Sequence, residues 1–381
     1  MRINYGLVIA ALVSLLGVGL VQGQARGALL FDTLTFDGLE RSFIVFVPAG
    51  YDGLEPIPLV LNLHGAGSTA AEQVIYSQLN LVSDTAGFLV VIPDAVDNFW
   101  NSGFSFIPTG APDDVAFLLG LLDSMSTRYN IDPDRIYSTG MSNGGFMSYR
   151  LACEASDRIA AIASVTGSMA DNVFASCDPS RVVPVLEIHG TADLTVPYEG
   201  SLSSTAIPAV VEFWRAHNEC PELPEVSDFP DLESEGCTVQ AQRYFPCRDW
   251  SEMLLYRVEN GGHTWPGSFP LPGAGCTNLD IRANVEVWKF FRRHNLANRY
   301  TGSSSVQPAL ALRAFPNPSP GIFRLAGSTA GPFVLLNRLG EKVLEGTLPA
   351  GSASLDLSGF AAGVYLLRLS AGGVQRLVLN P

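Results

Sequence analysis

Basic residues are scarce in this chain: lysine and arginine number 23 against 37 aspartates and glutamates over 381 residues, a formal net charge of −14. A field of that sign repels phosphate backbones and anionic lipid headgroups, which argues against nucleic acid as a partner. Histidine is rarer still, at five, few enough for candidate bases to be sorted one by one. The six cysteines form no CxxC pair, and nothing has metal-ligand spacing, a Walker loop or a dinucleotide fingerprint, so no cofactor is implied. An apolar run over residues 7–21, between Arg2 and the small polar stretch VQGQARGA, is too short for a confident membrane span. It fits a secretory signal peptide over residues 1–25, cleaved near Gly23 or Ala25, with an uncleaved anchor as the alternative. Once it is removed, no stable membrane span is expected in the mature chain.

What is present is a globular composition, 47% apolar, in a chain long enough for one large domain and a smaller appendage. LLFDTLTFDGLERSFIVFVP reads as a hairpin turning at Asp37-Gly38. Short apolar runs follow at 57–65, 88–95, 135–140, 159–167 and 183–190. Helix-length segments separate them, including 113–129, where Val115, Leu118, Leu119, Leu122 and Met125 recur at helical spacing. Continuous apolar strands alternating with helices imply parallel pairing with both faces covered, an α/β doubly wound sheet over residues 28–295. Ligands of such sheets collect beyond the carboxyl ends of the strands.

Residues 219–247, acidic and proline-rich, read as an irregular insertion stapled by cysteines. A last helix is expected over 280–294, with Ile281, Val285, Trp288 and Phe291 on one face. Residues 296–312 shift to Ser, Gly and Pro and read as a linker. From 313 to 381, short alternating runs between glycine turns predict a small β-sandwich with no His or Cys and few acids, so catalysis is not expected there.

Gly140-Met141-Ser142-Asn143-Gly144 satisfies G-x-S-x-G between a strand and a helix, the setting of a nucleophile elbow. A serine hydroxyl needs a base, and histidine is the usual one near neutral pH. On such a sheet the order runs Ser, acid, His, which removes His64 and His189. His217 and His294 end helical segments, where a solvated cap is the ordinary role. That leaves His263, on the glycine-flanked loop ENGGHTWPG. For the acid, Asp193 in HGTADLTVPY follows a strand toward the same edge; Asp171 and Asp178 are runners-up.

The developing oxyanion needs two backbone N–H donors. Asn143 would supply one and the loop LHGAGS (63–68) the other, through Ala66 or alternatively Gly65. Trp100 and Trp265, on loops at the expected mouth, are candidates either to wall a substrate pocket or to pack against their own loops. Six cysteines allow fifteen pairings, of which the short loop from Cys153 to Cys177 is the most readily closed.

RIYSTGMSNGGFMSYRLACEASDRIAAIASVTGS, VPVLEIHGTADLTVPY and GGHTWPG together resemble the extracellular polyhydroxybutyrate depolymerase and feruloyl esterase family of α/β-hydrolases, over roughly residues 30–295. The resemblance implies a secreted serine ester hydrolase with Ser142, Asp193 and His263 as its triad. It also implies pairing of Cys153 with Cys177 and of Cys220 with Cys247, leaving Cys237 and Cys276 as a third pair. Its substrates would be esters, on plant polysaccharide or in polyester. The tail, FPNPSPGIFRL through AAGVYLLRLSAGGVQRLVLN, is similar to the C-terminal sorting domain of type IX secretion cargo, which implies that secretion machinery as a partner and an extracellular location, with cell-surface attachment as a further possibility. Its end offers Arg376 where such domains usually bear lysine. The rival readings are a serine peptidase on the same fold and a non-catalytic surface adhesin.

Overall fold

The computed structural model describes residues 26–297, 313–328, 331–337, 342–349, 351–369 and 374–380. The expected signal peptide and residues 298–312 of the expected linker lie outside these. The chain divides into two units, Met1–Tyr300 and Thr301–Pro381.

The first unit is built on one ten-stranded sheet. Strands β1 (Ala28–Phe36) and β2 (Leu39–Val47) form the hairpin foreseen at Asp37-Gly38. Both turn residues have positive φ, 47° and 75°, which matches the twist of a two-residue hairpin. Then come β3 (Ile57–Leu63), β4 (Leu89–Pro93), β5 (Ile131–Met141), β6 (Ala161–Val165), β7 (Val185–Gly190), β8 (Glu225–Asp228), β9 (Thr238–Tyr244) and β10 (Met253–Glu259). Across the sheet they run β1-β2-β4-β3-β5-β6-β7-β10-β9-β8.

The six central strands, β4 through β10 in that order, are parallel. Strands β3, β4, β6 and β7 are buried along their whole length, as parallel strands covered on both faces must be. The chain adds β4 on one side of β3 and then returns to add β5 on the other. The point where strand order reverses, and where a crevice opens, is therefore the β3/β5 boundary.

Helices α1 (Ala70–Ser77), α2 (Leu79–Ala86) and α7 (Ala283–Phe291) cover one face, packing Val74, Leu79, Val287 and Phe290 on Val60, Val90 and Leu186. Helices α3 (Asp114–Arg128), α4 (Asn143–Glu154), α5 (Asp171–Ser176) and α6 (Ile207–His217) cover the other, with Leu118, Leu122, Met147 and Trp214 against Leu59, Leu61 and Ile162. The last helix is shorter than its sequence suggested and buries Val287 and Phe290 beside Phe291, leaving Val285 and Trp288 half-buried. Among the described residues no helix is long and apolar enough to cross a membrane.

Residues 219–247 depart in part from expectation. They are stapled by cysteines as expected and irregular over 229–237, but they also supply β8 and β9, which extend the sheet antiparallel to β10. In TVQAQRY, Val239 and Ala241 alternate with more exposed neighbours and pack into the core beside β10. Three disulfides join Cys153 to Cys177, Cys220 to Cys247 and Cys237 to Cys276.

His294 is also not a solvated cap: it is buried, and its Nε2 lies 3.0 Å from Glu252 Oε1. Glu252, just before β10, also accepts from Arg293 (2.6 and 2.9 Å) and Arg243 (2.5 Å). Burial pushes this carboxyl up, but His294 and the two guanidinium groups overcome it and hold the pKa at about 2. A depressed carboxyl stabilises the fold above its ordinary value of 4.5 and loses that contribution as pH falls toward 2. Glu252→Gln is therefore expected to cost roughly 3 kcal/mol at pH 7. Urea unfolding of both proteins should show the gap narrowing steadily below pH 4.5 and nearly closing by pH 2.

The second unit pairs a three-stranded sheet, β11 (Arg313–Phe315), β12 (Ile322–Ser328) and β15 (Gly351–Asp356), with a four-stranded one. The latter contains β13 (Gly331–Leu336), β14 (Lys342–Leu348), β16 (Gly363–Leu369) and β17 (Val374–Leu379). Phe323, Leu325, Phe333, Leu335, Tyr365 and Leu367 form its own core, the sandwich its alternating runs imply.

Candidate active site

Four loops at the carboxyl ends of β3, β5, β7 and β10 carry the residues singled out in the sequence. Ser142 follows β5 directly and precedes α4 with φ 52° and ψ −120°, a conformation rarely tolerated outside functional turns. So sharp a turn brings strand β3 against the elbow. A Cβ at Gly144 would lie 2.2 Å from the carbonyl oxygen of Leu63, and one at Gly140 would lie 2.5 Å from the backbone of Gly144. Glycine is required at both positions because backbone occupies the space.

Asp193 lies three residues beyond β7. Its Oδ1 accepts the N–H groups of Thr195 (2.8 Å) and Val196 (2.9 Å), which fixes the carboxylate and leaves Oδ2 free to face the next loop. There Oδ2 meets His263 Nδ1 at 2.7 Å. The histidine loop is tied down on two sides. Ala192 N–H donates to the carbonyl of Gly261, while Gly262 and His263 N–H groups donate to the carbonyls of Cys276 and Ala274. Cys276 is in turn bonded to Cys237, immediately before β9. The strands misread as an irregular insertion thus anchor the loop of the candidate base.

Ser142 and His263 line one cleft of about 440 Å³, together with Gly65 and Ala66. Among the described residues the Ser142 hydroxyl has no hydrogen-bond partner, His263 included. The N–H groups of Ala66 and Asn143 are likewise unengaged among the described residues, and Asn143 opens α4, whose dipole favours negative charge at its N-terminus.

Of the two readings open for Trp100 and Trp265, the structure shows packing and not a cleft wall. Trp100 and Trp265 are buried, at 0% and 1% exposure, and do not line the cleft. Trp100 is a clamp: its Nε1–H donates to His64 O (3.0 Å), and its backbone N–H donates to the Asn143 side chain (2.7 Å). Trp265 packs under the histidine loop, its backbone N–H donating to the Tyr76 hydroxyl at 3.1 Å. The apolar wall is instead Ile75 and Tyr76 of α1 with Met141, Phe269 and Leu271. Phe269 meets Tyr76 edge-on, with ring centroids 5.1 Å apart. Phe269 and Leu271 belong to the proline- and glycine-rich stretch SFPLPGAG, which has no periodicity to reveal a facing side chain. Glu72 is the carboxylate among the lining residues.

Two histidines set aside by chain order prove to be parts of the scaffold. His64 Nε2 accepts from Ala95 N–H (3.0 Å), so Nδ1 carries the proton and donates to Gly65 O (2.7 Å). Burial pushes this imidazole down and keeps it neutral, as that pattern requires. His189 lies behind Asp193.

The sequence profile of the esterase PHB depolymerase family matches residues 41–189, and that of the secretion system C-terminal sorting domain matches residues 313–379. The protein named "Putative esterase NocK" from Nocardia uniformis subsp. tsuyamanensis is 31% identical over 267 residues, 64% of this chain and 77% of that one. Feruloyl esterase B from Piromyces equi is 28% identical over 236 residues, 58% of this chain. The match spans 42% of that relative, less than half its length. A solved acetyl xylan esterase from Aspergillus awamori superposes with a TM-score of 0.49 at 14% identity, covering 65% of this chain and 96% of that one. With a strand–serine–helix elbow on a parallel sheet, the first unit has the α/β-hydrolase arrangement. The chain belongs to the esterase PHB depolymerase family of serine ester hydrolases, and it ends in a secretion-system sorting domain.

Proposed function

We propose that Ser142, His263 and Asp193 form the triad of an exported esterase, with the N–H groups of Ala66 and Asn143 as its oxyanion donors. The hydroxyl of Ser142 turns onto His263 Nε2 in the Michaelis complex and gives it the proton as Oγ bonds to the ester carbon. The carbonyl electron pair moves to the oxygen held by the two amides. Collapse breaks the bond to the alcohol, which leaves with the proton from His263. Water then attacks the acyl-enzyme, losing its proton to the same imidazole, and releases the acid. The observation that carries this reading is the 2.7 Å contact of Asp193 Oδ2 with His263 Nδ1, beside a cleft lined by both Ser142 and His263.

The cleft favours an uncharged, flat acyl group: Tyr76, Phe269, Leu271 and Ile75 offer apolar and aromatic surface, and Glu72 opposes an anionic one. A hydroxycinnamoyl group fits that description, with the polysaccharide alcohol left outside. The mature protein is expected to hydrolyse methyl ferulate and short p-nitrophenyl esters faster than it erodes a polyhydroxybutyrate film. Erosion of the film without release of ferulate would reassign the substrate to polyester. Cleavage of peptide anilides would favour a peptidase, and inertness to a fluorophosphonate probe a non-catalytic adhesin. The sorting domain supports export by type IX machinery, with the ester substrate met outside the cell.

A further inference from the structure

Directly behind Asp193 lies a buried chain of polar side chains that the triad reading does not use. His189, Glu187 and Tyr149 are all 0% exposed. Tyr149 hydroxyl donates to Glu187 Oε2 at 2.8 Å, and Glu187 Oε1 lies 2.9 Å from His189 Nδ1. His189 Nε2 lies 2.9 Å from the carbonyl oxygen of Val196 and 3.6 Å from Asp193 Oδ2. A charge cluster with no solvent access is costly unless every member is matched.

The partners settle where the protons sit. The carbonyl of Val196 can only accept, so Nε2 of His189 carries a hydrogen. Nδ1 faces a carboxylate that already accepts from the Tyr149 phenol, whose pKa burial pushes well above its ordinary value. Burial opposes charge on both partners and leaves the Glu187 carboxyl above its ordinary value, but Glu187, the Val196 carbonyl and Asp193 together outweigh it at His189, and the imidazole is raised overall. The other groups facing the ring are Asp193, with His263 beyond it, and Tyr198 at 6.1 Å, whose own ring has the Arg257 guanidinium 5.8 Å away. Asp193 adds a second anion near Nε2.

We propose that His189 is a positioning residue, a permanent buried imidazolium balanced by Glu187, which steadies the Asp193 carboxylate against His263 and, through Tyr149, ties that carboxylate to the helix that carries the nucleophile. The proposal rests on the triad reading. Val196 is doubly used: its N–H donates to Asp193 Oδ1, and its carbonyl accepts from His189, so the ring braces the turn that orients the acid. Tyr149 lies on α4, seven residues after Ser142, so the chain of contacts connects two of the four loops of the site from beneath.

The test has an arm independent of activity. In the full chain labelled with ¹⁵N-histidine, one imidazole should show both ring nitrogens protonated and not titrate between pH 6 and 8.5. Absence of such a ring overturns the proposal while leaving the triad standing. Glu187→Gln keeps shape but removes the balancing anion. It should abolish that signal, lower kcat about tenfold with KM unchanged, and move the acid limb of the kcat/KM profile upward by about half a pH unit, since no cation then competes for Asp193. If Glu187→Gln and His189→Gln both retain the wild-type kcat and pH profile and only melt earlier, the chain is structural packing and the proposal fails. Should neither variant fold, the ¹⁵N spectrum of the unaltered protein decides alone.

Discussion

Ser142→Ala is expected to lower kcat/KM for p-nitrophenyl butyrate by about 10⁵-fold or more, leaving the protein folded. The fold should survive because alanine keeps the Cβ and the backbone geometry of φ 52° and ψ −120°, and the lost hydroxyl has no structural partner among the described residues. The residual rate would come from the amide donors of Ala66 and Asn143, which still meet a carbonyl oxygen while water replaces serine as nucleophile. Turnover within tenfold of the wild type, in a protein with an unchanged circular dichroism melt, would show that another group attacks the ester.

Asp193→Asn is expected to cost nearly as much, about 10⁴-fold in kcat with little change in KM. Asparagine can keep its oxygen toward the N–H groups of Thr195 and Val196, which hold Oδ1 at 2.8 and 2.9 Å. Its NH₂ then faces His263 Nδ1, where the carboxylate accepted. A donor facing Nδ1 forces the proton onto Nε2, the nitrogen that must be bare to take the serine proton. The loss should therefore appear as a wrong tautomer in a correctly folded site. A kcat within a few-fold of wild type would mean that Asp171 or Asp178 serves as the acid. The structure gives Asp171 a different task, accepting from Ser105 N–H at 3.1 Å.

What could be read from the residues was whatever backbone demands. The apolar runs separated by helix-length segments determine a parallel sheet, and G-x-S-x-G between strand and helix has few other uses. The small number of histidines made His263 the remaining candidate without any knowledge of contacts. Side-chain direction on loops was not legible in the same way. Trp100 and Trp265 sit where an aromatic wall could be, yet each turns inward: the Trp100 indole N–H donates to the His64 carbonyl, while the Trp265 ring packs into the core beneath its loop. Phe269 and Leu271 do face the cleft, from a stretch whose prolines and glycines carry no period. Chain order excludes His64 and His189 as the base, and both lie buried, but chain order is silent on whether a histidine braces a site. Strands β8 and β9 were hidden by composition: acidic residues and prolines dominate the segment, and the alternation in TVQAQRY gains meaning only against β10.

The sheet also determines how small this enzyme can be made. The proposed nucleophile, acid and base issue from β5, β7 and β10, with β6 intervening between the first two. The stretch matched by the family profile stops at residue 189. A fragment cut there would retain the proposed attacking hydroxyl and amide donors but forfeit Asp193 and His263, so on the proposed triad no truncation short of the histidine loop and its cystine tether yields a minimal catalyst.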